Sequence, residues 1–584
     1  MADGLTRPPE GSRNPGERLP RHLLLAGAAL LLLIHGNLAL GLFESSEARY
    51  AEVAREMAET GDFLSPKVNG VDHFTKPPLA YWITSAGYLL FGVNGFGARF
   101  FPAVAAVLVL ILTAWTFGLR VGRGGRWLAG LVLFCSVQFF ILGKVVTTDM
   151  FLTLWITLAL AVWQRMESGG WSSSKGAPLL GIVLAAAFLT KGPVPLLFCG
   201  VVLVPYSLWS DRGRSLRVLL SPGCWLLFLL LALPWFLAVG VLHPGLFSYF
   251  LAREATEAAF SAKRFHPGSW YYYAPVLLAG FYPWWILLAA RWRLLGAREV
   301  RLWAVWAVSP LLVWSLFPAK LPTYILPALP AWALLAAWVL VKGGVPGRGL
   351  GAALAGGAAV VPLGILIYVP VWGSWLPPVR AQTLLVLAGS AVMGLLGAIL
   401  CLLGRRLWSL AGLAACIGAF YASIPMLAVD MTPLLSIEKR IGEELASARL
   451  PDEPVLVYGV TLYSIPFYVR DRVAAYDTNF IRKKYVGEIP EHILRTRREL
   501  AAFLASHGRL WIVTDESEEV KLLSDSPALV LYLRDRNKSV WITEEVARRL
   551  GLSSDRDHHG QGLVRASNRG GSVSDQVSVG LDGP

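Results

Sequence analysis

Apolar runs long enough to cross a bilayer succeed one another between residues 23 and 429, and no other feature of this 584-residue chain limits its fold so tightly. They fall near 23–43, 96–118, 127–143, 150–164, 177–190, 194–209, 219–241, 274–290, 302–317, 322–341, 350–372, 382–403 and 407–429. In hydrocarbon every backbone amide needs an internal partner, so such runs become helices. The expected fold is a polytopic α-helical membrane protein of about thirteen transmembrane helices. Residues 1–22 are polar and basic, and no small-residue cleavage site follows the first run. That run therefore reads as a retained span rather than a signal peptide.

Charge sets the orientation. Basic clusters occupy alternate connections, at 7–21, 120–126, 165–175, 212–217, 291–301, 342–348 and 405–406, and those connections are expected in the cytoplasm. A net charge of +14 could suggest nucleic acid. The basic residues, however, lie between apolar runs as topology signals, so no nucleic-acid partner is expected. The five cysteines all sit in apolar runs and suggest neither a disulfide framework nor a metal site. The opposite face receives the loop 44–82, the turns 143–149, 190–193 and 319–324, the loop 242–273 and everything after residue 430.

The loop 44–82 carries Glu44, Glu47, Arg49, Glu52, Arg55, Glu56, Glu59, Asp62, Lys67, Asp72 and Lys76 in a chain that is only 16% charged. Ser45 or Ser46 can cap a helix that starts near Glu47, and Gly61 can close it. Tyr50, Val53, Ala54, Met57 and Ala58 form an apolar stripe on a helix too short to span. Arg49, Glu52, Glu56 and Glu59 fall on the other, solvated face. Glu47 borders the stripe, where partial loss of water suits a carboxylate to acid–base work. The alternative for Glu47 is an ion pair with Arg49 or another cation that merely orders the loop.

Lys76, Lys144, Lys191, Arg253, Lys263, Arg264 and Lys320 oppose the topology rule, and several adjoin span ends. An ionisable group at membrane depth costs roughly 2.5–3.5 kcal/mol. Snorkelling to the headgroups accounts for any one of these cations. Several of them with Asp149 on one face suit a lipid-linked phosphate, whose oxygens accept charge-assisted hydrogen bonds. After residue 430 β-rich runs at 454–460, 509–515, 528–534 and 539–543 alternate with helix-like stretches near 436–448 and 497–507. They describe a small soluble α/β domain over 431–550. Residues 551–584 are rich in Ser, Gly and Asp and are expected to be disordered.

SEARYAEVAREM (46–57), GDFLSPKVNGVDHFTKPPLAYW (61–82), FGVNGFGARF (91–100), KVVTTDMFLT (144–153), LTKGP (189–193), FHPGSWYYYAPVLLAGFYPW (265–284) and AKLPTYILPALP (319–330) follow one another in order. Together they resemble the bacterial GT-C membrane glycosyltransferases of families 39 and 83, the group of the lipid A aminoarabinose transferase and the protein O-mannosyltransferases. The resemblance implies a GT-C transmembrane domain over 23–430, with a cytoplasmic N-terminus at 1–22. The first periplasmic loop is then 44–82, and the α/β domain at 431–550 is periplasmic. It implies inverting transfer of a sugar from a polyprenyl-phosphate donor to a lipid (lipid A-like), glycan or protein acceptor. The reaction would run at the periplasmic face of the inner membrane, with no cofactor and no metal.

By the same resemblance Lys76 binds the donor phosphate, Asp149 is a functional acid and Tyr324 lines the donor site. Arg264 and Lys320 join Lys76 as phosphate-binding candidates, and Arg49, Tyr50, Tyr81, Lys191 and His266 are further substrate-binding candidates. The family's Asp-Glu pair before x-Arg-Tyr reads Ser46-Glu47 here, so Glu47 or Glu44 is expected to supply the first carboxylate. Thr75 stands before Lys76 where the aminoarabinose branch has Glu. Both departures favour a broader family 39-type transferase with another sugar or acceptor. A transporter or flippase of lipid-linked sugars is the alternative, to be marked by inverted repeats and helices broken at the midplane. Reporter fusions check the orientation: those after Arg126, Arg217 and Arg406 should report cytoplasm, and one after Asp430 should report periplasm.

Overall fold

The computed structural model describes residues 19–121, 125–211, 221–250, 268–372, 379–431, 437–478, 489–526, 528–556 and 562–565, with 216, 217, 219 and 480. Two compact units divide the chain. One takes residues 1–68, 72–436 and 484–487, and the other takes 69–71, 437–483 and 488–584.

The first unit is helical. Among the described residues eight helices are long and apolar enough to cross a membrane, or nine if Tyr273–Gly280 and Trp284–Ala290, bent by 105°, form one span. The expected thirteen are therefore not reached by length and composition, and four runs account for the difference. Helix α1 (Leu19–Ile34) stops short of residue 43. The run 127–143 is split into α5 (Arg126–Phe134) and α6 (Val137–Leu142) at Ser136, whose backbone is extended and whose hydroxyl donates to Val132 O at 2.9 Å. Helix α7 (Thr148–Glu167) keeps its length but carries Asp149, Gln164, Arg165 and Glu167, and α9 is short, with Val194–Ser210 its apolar part. Pro283 opens the helix beyond the 105° bend, where its missing N–H costs no hydrogen bond.

In the first loop, α2 runs over Ser46–Thr60, and Gly61 ends it in the left-handed conformation at φ 72° with its N–H on Met57 O. The expectation of a solvated polar face is corrected here. Glu52, Arg55 and Glu56 are 0%, 3% and 5% exposed, so α2 is enclosed on both faces. Helix α3 (Leu79–Phe91) supplies part of the cover, with Ser85 donating to Ala54 O at 2.7 Å and Tyr88 to Ala51 O at 3.2 Å. Helix α3 then meets α4 (Gly95–Val121) backbone to backbone, because a Cβ on Gly87 would lie 2.2 Å from Gly97 O.

The second unit holds a six-stranded sheet in the order β5-β4-β3-β6-β8-β7. Strands β3 (Val455–Tyr458), β4 (Ala474–Tyr476), β5 (Ile493–Leu494) and β6 (Trp511–Asp515) are parallel. Strands β7 (Leu529–Asp535) and β8 (Lys538–Thr543) complete the sheet antiparallel. Fully buried Glu453 anchors it by accepting from Leu450 N at 3.0 Å, Trp511 Nε1 at 2.9 Å and Arg549 Nη2 at 2.7 Å. Asn69 belongs to this unit too, exchanging two 2.9 Å hydrogen bonds between its side-chain amide and the backbone of Val473. The tail expected to be disordered from 551 contains an antiparallel ladder of β9 (Ser553–Arg556) and β10 (Gly562–Arg565). Residues 566–584 lie outside the described residues.

The contact between α3 and α4 yields a test. Gly87→Ala should destabilise the protein by about 1–3 kcal/mol through overpacking, read as a lower thermal unfolding midpoint in detergent. An unchanged midpoint would mean that the two helices can part freely.

Candidate glycosyl-transfer site

Asp149 stands in the first turn of α7, where a helix N-terminus favours negative charge. Thr147 makes that start: its backbone is extended and its Oγ1 accepts from Asp149 N at 3.3 Å. Lys191 is the last residue of α8 (Ser173–Lys191), where a cation suits the opposite end of the dipole, and its Nζ lies 2.5 Å from Asp149 Oδ1. Trp155 Nε1 donates to Thr190 Oγ1 at 3.1 Å, pinning α8 to α7 beside the pair. Both charges are nearly enclosed, with side chains 10% and 9% exposed.

Aromatic rings surround the pair. Lys191 Nζ lies 5.0 Å from the centre of the Tyr324 ring, and Tyr50 is also within electrostatic range of it. Tyr50 packs on Tyr81 at 5.8 Å between ring centres, and the Arg49 guanidinium sits 5.4 Å from the Tyr50 ring. Tyr273, which the sequence did not single out as a site residue, lies within electrostatic range of both Tyr324 and Asp149. The structure thus brings together Asp149, Lys191, Tyr324, Tyr50, Tyr81 and Arg49.

Glu47 is placed otherwise than expected of a base. Its Oε1 accepts from Arg99 Nε at 2.8 Å and Val146 N at 2.9 Å, and its Oε2 from Arg99 Nη2 at 2.7 Å and Phe43 N at 2.9 Å. Four donors on a side chain 1% exposed occupy the lone pairs a base would use. Arg99 is fully buried and spreads its other N–H groups over Asn37 O at 3.2 Å, Leu40 O at 2.9 Å and Gly41 O at 2.7 Å. The sequence reading missed Arg99. Its signal was a single guanidinium near the start of a 27-residue apolar helix.

Two other cations prove to be helix caps. Lys320, expected at the donor phosphate, donates to Trp314 O at 3.3 Å, Ser315 O at 2.9 Å and Phe317 O at 2.6 Å, so its three protons are spent at the end of the helix Arg301–Leu316. Lys144 does the same for α1, donating to Leu32 O at 3.3 Å, Leu33 O at 2.8 Å and His35 O at 2.7 Å. Burial, with the charge of Arg99 nearby, pushes Lys144 down to about 7. Lys76 is half-buried, with its Nζ on Thr75 O at 2.7 Å. Glu44 is half-buried and Ser46 exposed. Arg264 and His266, like Arg253 and Lys263, lie outside the described residues.

At its helix ends an apolar bundle thus gathers a buried carboxylate–ammonium pair and a group of tyrosines, a polar site at the edge of a membrane domain. Comparison supplies the class. Residues 35–250 match the family model described as dolichyl-phosphate-mannose-protein mannosyltransferase. Over 433 residues the chain is 30% identical to the undecaprenyl phosphate-alpha-4-amino-4-deoxy-L-arabinose arabinosyl transferase of Edwardsiella ictaluri, covering 70% of this chain and 76% of that protein. To arabinosyl transferase 1 of Sodalis glossinidius it is 33% identical over 308 residues, 51% of this chain and 54% of that one. The crystal structure of ArnT from Cupriavidus metallidurans bound to undecaprenyl phosphate shares the fold at a TM-score of 0.75 and 23% identity, covering 90% of this chain and 98% of that one. The chain belongs to the GT-C family 39/83 membrane glycosyltransferases and is a polyprenyl-phosphate-sugar-dependent transferase rather than a transporter.

Besides Lys144, Glu52 of the enclosed helix α2 comes within reach of ordinary buffers. Burial, opposed by Arg55 and reinforced by Glu56, pushes Glu52 up to about 8. A carboxyl raised in the folded state contributes stability that is full below about 4.5 and lost as pH rises through about 8. The unfolding midpoint should therefore fall across that window, and the fall should flatten in Glu52→Gln. Equal slopes in the two proteins would place the proton elsewhere.

Proposed function

We propose that the protein moves a sugar from a polyprenyl-phosphate carrier to a lipid A-like acceptor at the periplasmic face of the inner membrane, with inversion at the anomeric carbon. The observation that carries this reading is the Asp149–Lys191 pair with Tyr50, Tyr273 and Tyr324 around it and Tyr81 packed on Tyr50. An open apolar groove of about 630 Å³ supports it. Leu196, Gly200 and Val204 of α9 line one wall, and Leu312 and Val313 belong to the other. The groove's lining is apolar throughout except for Ser309 and suits a polyprenyl chain.

The acceptor oxygen attacks the anomeric carbon, the bond from that carbon to the phosphate oxygen breaks, and polyprenyl phosphate leaves. Lys76 and Lys191 stabilise the charge that grows on the leaving phosphate. Glu44, three residues from the saturated Glu47, takes the proton of a hydroxyl acceptor, and Asp149 holds Lys191 in place. A phosphate acceptor, already an anion, would need no base. The aminoarabinose in the names of the relatives makes that pentose the first sugar to test.

Lys76→Ala and Asp149→Asn should each accumulate in the membrane and lose about 10²–10³-fold in turnover. Glu44→Gln should cost about 10²–10⁴-fold with a hydroxyl acceptor while donor binding persists. Near-normal turnover of Lys76→Ala at saturating donor would defeat the phosphate assignment. Mass spectrometry of polyprenyl-phosphate sugars and of lipid A from a deletion strain identifies the sugar and the acceptor.

A further inference from the structure

We infer that Arg99 is a positioning residue for sugar transfer, acting through Glu47 on the turn that presents Asp149. The inference rests on the reading of Asp149 and Lys191 as part of the transfer site. It starts from the bond between Glu47 Oε1 and Val146 N at 2.9 Å, three residues before Asp149. Thr147, the next residue, is the one whose hydroxyl caps α7 and sets the Asp149 backbone. Lys144, earlier in the same turn, is tied to three carbonyls at the end of α1. The turn is thus fastened at two points by buried charged groups, and one of those points depends on Arg99.

Glu47 alone could not hold that point. Its carboxylate is buried, and an ionised carboxylate without a partner at that depth is strongly disfavoured. Arg99 supplies the partner in the planar two-bond geometry of guanidinium and carboxylate, Nε to Oε1 at 2.8 Å and Nη2 to Oε2 at 2.7 Å. This pairing fixes the carboxylate plane and so aims Oε1 at Val146. The remaining N–H groups grip the backbone of residues 37–41, which holds the guanidinium in turn. Displacing a reacting or aligning group by about 1 Å can cost about 10²-fold in rate. A slackened turn would therefore lower turnover without removing any group that binds the donor.

A double-mutant cycle tests this in the full-length enzyme. Arg99→Lys keeps a charge but cannot make the paired contact. It should accumulate in the membrane, lose about 10–100-fold in kcat and keep its donor KM within about twofold. In the Asp149→Asn background the same change should alter kcat by less than about threefold, because the group being positioned is already gone. Equal, additive losses in both backgrounds would overturn the inference, as would a raised KM with unchanged kcat. Should Arg99→Lys fail to accumulate, Glu47→Gln takes its place in the cycle. It preserves shape but gives up one of the acceptors shared by Arg99, Val146 and Phe43. Failure of both to accumulate would leave Arg99 a purely structural residue and overturn the inference. Wild-type turnover in Asp149→Asn alone would instead defeat the reading of the site, an outcome that the single variant reports separately from the cycle.

Discussion

The Glu47–Arg99 pair is the constraint on which the site end of the helical unit depends. Burying two ions costs several kcal/mol each, recovered only when geometry and hydrogen bonding are complete. Here they are. Arg99 donates to Glu47 and to the carbonyls of Asn37, Leu40 and Gly41, and Glu47 also accepts from Phe43 and Val146. Four segments far apart in sequence are joined through two side chains: the turn after α1, the start of α2, the start of α4 and the turn before α7. The seven residues from Gly143 to Asp149 then carry the constraint onward to the Asp149–Lys191 pair.

Much of this was legible in the sequence, and the reasons differ by element. Spans were readable wherever an apolar run was continuous, and α2 ended where Gly61 could turn left-handed. Asp149 and Lys191 stood out as charged groups at the edges of apolar runs, and Tyr324 came from the family resemblance of its motif. Two kinds of feature were hidden. Periodicity assigns a helix one buried face, so it could not foresee that Glu52, Arg55 and Glu56 are enclosed along with Val53 and Met57. Pairing across 52 residues leaves no local trace either, so the sequence left Glu47 open between a base and an ion pair that orders the loop, and could not name Arg99 as its partner. The break at Ser136 was masked by the apolar residues on both sides of it.

Helix ends supply much of the electrostatics. Asp149 sits at an N-terminus and Lys191 at a C-terminus, so each charge is favoured by the backbone before any substrate arrives. Their mutual contact neutralises the pair while it waits in a low-polarity setting.

Lys144 and Lys320 carry a different lesson. Each converges on three backbone carbonyls at the end of a helix, which takes up the three donors of an ammonium. What selects lysine at these two places is the architecture of the bundle, whatever sugar is handled. In a related enzyme with altered substrate choice, such residues would be expected to stay while the rings near Lys191 drift. They are signatures of the scaffold, and reading them as marks of specificity would confuse the frame with its contents.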